Sequence, residues 1–140
     1  VQFAAETLAH PKLKITVAVA GHIDSGPIDP KSLPRHSEIG PYVAEGLRLA
    51  RELGLPMVGL THPCGLIPCT VPDAVQAFAG HELGMPATEG GAAQARARDG
   101  NVKVEGCAHC VFNDRCFGLR REYAQAHGTG EISPLPTIAG

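Results

Sequence analysis

The sequence predicts an α/β chain in which a strand–helix–strand unit leads into a cysteine-rich extension. Three observations predict it. Leu13-Lys14-Ile15-Thr16-Val17-Ala18-Val19 alternates apolar residues with others and is rich in β-branched types, the pattern of a half-buried strand. Val43, Leu47, Ala50 and Leu53 recur at steps of four, three and three, which lays an apolar stripe along one helical face. Five cysteines, Cys64, Cys69, Cys107, Cys110 and Cys116, all lie after the second apolar run, and three of them fall within ten residues.

The elements run in order. Phe3 to Ala9 is Ala-rich and reads as the tail of a helix, which His10-Pro11 stops because the residue before a proline avoids the helical region. After the first strand, Gly21 to His36 is rich in Gly, Pro, Asp and Ser and reads as a loop. Ser37 is expected to cap the next helix, with Pro41 near its first turn and Gly54 as its stop. Met57-Val58-Gly59-Leu60 comes next as a short apolar strand, and strand, helix, strand in close succession is the rhythm of a parallel sheet. Two prolines and a glycine between Thr61 and Cys69 argue against regular structure there. Asp73 to Leu83 is expected to be helical, and Met85 to Ala93 a loop of small residues. Asp99-Gly100-Asn101, between Gln94–Arg98 and Val102–Glu105, is a hairpin signal. Gly118 to His127 reads as a closing helix with Leu119 and Tyr123 on one face, ended by Gly128.

A chain of 140 residues is the length of one ordinary domain and can bury a real core. Hydrophobic residues make up 44% and charged residues 19%, a globular composition. Twelve basic against fourteen acidic side chains give a net charge of -2, which argues against a general binder of nucleic acid or of membrane surfaces. No apolar run approaches the ~20 residues of a membrane helix. Val1-Gln2-Phe3-Ala4 has no basic leader, and the first residue is not Met, so the chain is expected to be processed or to be part of something longer. An odd number of cysteines without an export signal disfavours a disulfide framework and points to a reducing, cytoplasmic setting, where clustered thiols bind metal or do redox chemistry.

Cys107-Ala108-His109-Cys110 is a C-x2-C pair, and Cys116 extends it to C-x2-C-x5-C. Such a turn brings two thiolates toward one site, and Gly106 and Gly118 beside it allow close backbone approach. A fourth ligand is expected from Cys69 or Cys64, in the loop after a strand end, where α/β sheets present functional groups. Four thiolates suit either a structural zinc ion or a [4Fe–4S] cluster. Zinc ribbons usually present two C-x2-C knuckles and this chain has one, so the irregular spacing suits the larger cluster better. Lys103, Arg115, Arg120 and Arg121 lie nearby to offset its negative charge, and Phe112 and Phe117 to keep solvent from the sulfurs.

The stretch Cys107-x-x-Cys110-x5-Cys116-x-Gly118-x4-Tyr123, with Gly128 and Glu131-Ile132-x-Pro134 after it, resembles the end of radical S-adenosylmethionine (SAM) proteins. Many of these carry an auxiliary iron–sulfur cluster in a C-terminal extension of the twitch or SPASM type. Upstream, His36-Ser37-Glu38-Ile39-Gly40-Pro41-Tyr42, the helix to Gly54, Pro56-Met57-Val58 and Ile67-Pro68-Cys69 resemble the last strand–helix–strand of their partial (β/α) barrel. The resemblance covers the chain from about Leu13 to Pro134. It implies barrel structure over residues 1–66 and a twitch-like extension over 67–140. It also implies an auxiliary [4Fe–4S] cluster on Cys69, Cys107, Cys110 and Cys116, with Cys64 as the alternative to Cys69.

Two departures shape what else it implies. The C-x3-C-x2-C motif that holds the SAM-cleaving cluster is absent, and the further cysteines of the SPASM pattern are missing around Phe117-Gly118-Leu119. The chain therefore resembles the C-terminal half of such an enzyme, with SAM and a second [4Fe–4S] cluster bound only by the full-length protein. A small-molecule or peptide substrate and an electron donor such as a ferredoxin or flavodoxin are the implied partners, with neither nucleic acid nor membrane. The alternative is a zinc-stabilised four-cysteine module without catalysis.

The remaining polar residues carry blander readings. The seven histidines, His10, His22, His36, His62, His81, His109 and His127, are scattered singly and read as surface or loop residues, with His62 and His109 nearest to cysteines. Gly21-His22-Ile23-Asp24-Ser25-Gly26 lacks the spacing and the lysine of a phosphate loop. With Asp29 it reads as a polar connector, and as the lining of a barrel mouth only at second choice. Glu38 and Glu45 read as helix surface, and Tyr123 as a packing residue.

Overall fold

The computed structural model describes residues 1–7, 13–18, 29–61, 65–83 and 100–136. Its regular elements are α1 (Gln2–Thr7), α2 (His36–Glu52), α3 (Ala74–Phe78), β1 (Asn101–Val102), β2 (Leu119–Arg120) and α4 (Arg121–His127). Short 3-10 turns at Pro30–Ser32, Pro68–Thr70 and Glu105–His109 join them.

The first apolar run lies extended, with Leu13, Ile15 and Val17 half-buried and Lys14, Thr16 and Ala18 exposed. It meets the second run through a parallel bridge between Ile15 and Met57. Val58 N donates to Ile15 O at 2.8 Å, and Ile15 N to Pro56 O at 3.3 Å. The contact is one bridge long, because Gly59, with φ +61°, turns the chain away directly after it.

Helix α2 supplies the connection between the two runs, and Leu47 and Ala50 on its apolar face are fully buried. Gly54 ends it at φ +66°, with Gly54 N on Arg51 O and Leu55 N on Ala50 O, the paired bonds of a Schellman motif. Its start differs from expectation. Ser37 lies inside the first turn, the cap position is Arg35, and Arg35 N donates to the Glu38 carboxylate at 3.1 Å.

The expected helix over Asp73–Leu83 is shorter than its pattern, since Gly80 at φ +79° turns the chain out soon after Phe78. The next residue, His81, ties the chain to both the second apolar run and α2. Its Nδ1 accepts from Met57 N at 3.3 Å, which leaves Nε2 to donate to Leu47 O at 2.9 Å.

The expected hairpin around Asp99-Gly100-Asn101 includes residues 94–99, outside the described part. Asn101–Val102 pairs with Leu119–Arg120, antiparallel, in the register Asn101 to Arg120 and Val102 to Leu119. Leu119 and Arg120 are thus strand, and the closing helix begins at Arg121.

Two apolar clusters hold the described residues together. The larger joins Leu47, Ala50, Met57 and Leu60 to Val71, Ala74, Ala77 and Phe78 and reaches Phe112, whose ring centroid lies 6.0 Å from that of Phe78. It draws on both sides of residue 66. The smaller is Ile67, Leu119 and Tyr123, with Ile132 against it. Cys116 packs against both clusters, so the site sits where they meet.

Candidate metal centre

Each of the four described cysteines is presented by a tight turn. Cys69 is the middle residue of the 3-10 turn Pro68–Thr70, whose proline sets the first backbone angle. Cys107 lies within the turn Glu105–His109, closed by Cys107 N on Val104 O at 2.9 Å. Cys110 comes directly after that turn, its N–H on Cys107 O at 3.1 Å, and forms an antiparallel bridge to Pro136. Cys116 ends another turn, its N–H on Phe112 O at 2.8 Å. All four are free, half-buried thiols.

Although Cys69 is 38 residues from Cys107 in the chain, the four cysteines line one cavity. Ile67, Phe112, Leu119, Ile132 and Pro134 form its apolar walls. Among the described residues no three His, Cys, Asp or Glu side chains are gathered closely enough to hold a single metal ion.

Backbone donors are aimed at the sulfurs. Gly118 N donates to Cys116 Sγ at 3.3 Å, and the Ser133 N–H to the Cys69 sulfur. Gly118 is at φ +86°, and a Cβ there would lie 2.6 Å from Val102 O, so only glycine admits this approach of the Cys116 turn to β1. Gly40 does the same for Cys69. A Cβ on this helical residue would stand 2.4 Å from Thr70 O, so α2 reaches the Cys69 turn because nothing projects there. Thr61, buried after the second run, donates from Oγ1 to Arg115 O at 2.6 Å and fixes the turn before Cys116.

Burial pushes the Cys116 thiol up to about 11, against the Gly118 N–H and the charge of Lys103, which favour the thiolate. Burial likewise raises Cys69, opposed by the Ser133 N–H, with Cys110 and Cys107 adding to the rise. These thiols hold their protons at neutral pH until a cation or cluster displaces them.

Of the basic residues near the cysteines, Lys103 lines the cavity, and its ammonium donates to Asn113 O at 2.7 Å and to Asn113 Oδ1 at 3.0 Å. Arg120 pairs with Glu122 at 3.4 Å, while Arg115 and Arg121 are exposed. Phe112 and Phe117 are both buried, Phe112 at the cavity wall. His109 is exposed. Cys64, His10, His22, His62, Asp24 and Ser25 lie outside the described residues. Asp29 caps the turn Pro30–Ser32, accepting from Lys31 N at 3.0 Å.

The C-terminal motif residues beyond Cys116 anchor the site to α2. Tyr123 is buried, and its hydroxyl accepts from His36 N at 2.8 Å and donates to Glu131. Glu131 also accepts from Ser37 N at 3.1 Å and from the Ser37 hydroxyl. A carboxylate 94 residues away thus neutralises the start of α2, where Arg35 offers no acceptor. Burial raises the Glu131 carboxyl, but the bonds from Ser37 and Tyr123 outweigh it and hold it below the usual range. The His36 ring lies tilted against that of Tyr123, centroids 4.4 Å apart, and burial pushes its pKa down to about 4. Thr61 had no signal of its own in the sequence, and Gly40 and Glu131 stood in the resembling motifs without their roles, since each works through a partner far along the chain.

Compared with known proteins, the chain matches no family model, no curated protein and no solved structure. Among the described residues no helix is long and apolar enough to cross a membrane.

Proposed function

We propose that the chain is the C-terminal half of a radical SAM enzyme and that Cys69, Cys107, Cys110 and Cys116 hold its auxiliary [4Fe–4S] cluster. One observation carries this reading: four cysteines from three separate turns line a single apolar cavity. The single C-x2-C knuckle and the distant fourth cysteine suit a cubane, whose irons each take one thiolate, better than a zinc ribbon, whose ion draws four sulfurs to about 2.3 Å from one centre. The N–H groups at Cys116 and Cys69 stabilise thiolates, and the apolar walls exclude water, the two levers by which proteins tune such clusters. When bound, the cluster supplies one-electron transfer. Four protein ligands leave it no open position for substrate, which favours electron relay or a structural role.

The cluster that cleaves SAM belongs to the full-length protein, as do SAM and a small-molecule or peptide substrate. A ferredoxin or flavodoxin is the fitting electron donor, and the cytoplasm, which keeps thiols reduced, the fitting compartment. Single Cys→Ala changes at Cys64, Cys69, Cys107, Cys110 and Cys116, read by bound iron after anaerobic reconstitution, test the ligand set. Loss of iron at the last four and retention at Cys64→Ala is the expected pattern. Retention at Cys69→Ala with loss at Cys64→Ala would move the fourth ligand. Stoichiometric zinc without iron would replace the cluster by a zinc module.

A further inference from the structure

We propose that Lys103 sets the reduction potential of the cluster held in the cysteine cavity, acting as its resident counter-charge. The inference rests on the reading of the site as an iron–sulfur site. Among the described residues lining the cavity, Lys103 is the only one besides the cysteines with an ionisable side chain, and the other walls are almost wholly apolar. Its position is built. The Lys103 stem runs over Gly118, where an added Cβ would stand 2.9 Å from its Cγ, and both oxygens of Asn113 grip the ammonium. The same ammonium acts on the Cys116 sulfur. Lys103 is exposed, as are Arg115 and Arg121, but among these basic residues it is the one that lines the cavity beside Cys116, while Arg120 is paired with Glu122.

The physics fixes the direction. Four thiolates on an oxidised [4Fe–4S] core give a net charge of about −2, and uptake of one electron takes it to about −3. Lys103 therefore stabilises the reduced state more than the oxidised one and raises the potential. Lys103 is exposed, so solvent screens part of this attraction and the shift it sets is modest. The electron comes from a low-potential one-electron donor, and no bond is made or broken at the lysine.

The full chain is reconstituted anaerobically with iron and sulfide, then titrated with dithionite through redox mediators while its visible absorbance and EPR signal are monitored. Lys103→Gln and Lys103→Met are expected to keep their iron and to shift the midpoint to lower potential. Lys103→Arg, which keeps the charge, is expected to titrate with the native chain. An unchanged midpoint in loaded Lys103→Gln and Lys103→Met overturns the inference. So does an equal shift in Lys103→Arg, which would mean packing rather than charge. Failure of both neutral variants to hold iron that the native chain holds overturns it as well, since Lys103 would then serve assembly. Failure of the native chain to take up a cluster sinks the reading beneath it, and this inference with it.

Discussion

Replacing Gly118 by alanine probes the tightest point of the site. At φ +86° an alanine pays the steric cost of a left-handed backbone, about 1–2 kcal/mol. Its Cβ would also stand 2.6 Å from Val102 O and 2.9 Å from Lys103 Cγ. The lysine stem can swing aside, but the carbonyl belongs to β1 and is fixed by pairing with β2. Forcing the two apart adds roughly 1–3 kcal/mol of overpacking, so Gly118→Ala is expected to cost about 3 kcal/mol in all. Gly54 provides the control, since it shares a positive φ of +66° but has nothing within 4 Å of the added atom. Gly54→Ala is expected to cost only the backbone part, about 1–2 kcal/mol. Urea denaturation monitored by far-ultraviolet circular dichroism gives both values. The Gly118 variant is also expected to bind less iron, because its N–H leaves Cys116 Sγ. Equal destabilisation by the two substitutions, with native iron content in both, would refute the close approach of β1 to the Cys116 turn.

Other consequences are equally open to measurement. Gly40→Ala presses α2 against Thr70 O and is expected to lower iron retention while leaving helix content near native, read by metal analysis beside circular dichroism. Tyr123→Phe deprives His36 N of its acceptor and Glu131 of a donor, and should cost about 1–3 kcal/mol in denaturant unfolding. His36 titrates near 6.5 in the unfolded chain and near 4 when folded, so acid favours unfolding. The folded state keeps its full advantage above pH 6.5 and loses it as pH falls toward 4, about 2 kcal/mol of it between pH 7 and pH 5. Glu131, also held low, adds loss of the same sign at still lower pH. Unfolding curves at the two pH values check this, and His36→Gln should flatten the dependence. Finally, the chain alone, lacking the C-x3-C-x2-C motif, is expected to make no 5′-deoxyadenosine from SAM and dithionite. Chromatographic detection of that product would contradict the assignment to a C-terminal half.

The parts of the molecule legible in the sequence are those set by local pattern. The stripe Val43–Leu47–Ala50 and the stop at Gly54 mark α2 because periodicity and capping act within a few residues. The alternation from Leu13 to Val17 marks an extended segment for the same reason. The C-x2-C-x5-C spacing and Gly118 announce a site because the turn chemistry is local. Pairing at a distance leaves no such mark. Nothing local to Asn101 and Val102 announces their pairing with Leu119 and Arg120 across the cysteine turns. Ser37 has the chemistry of a cap, yet Glu131 takes that place because the chain folds back over α2. Cys69 could be nominated as a fourth ligand from its loop, but only the meeting of two apolar clusters brings it to the same cavity as the other three.

Iron, acid-labile sulfide and zinc counted on the same anaerobically reconstituted sample test the central claim most directly. About four irons and four sulfides per chain, in a brown protein with broad visible absorbance, is the predicted result. A folded, colourless chain that takes one zinc, or that takes no metal while keeping its circular dichroism, would contradict it.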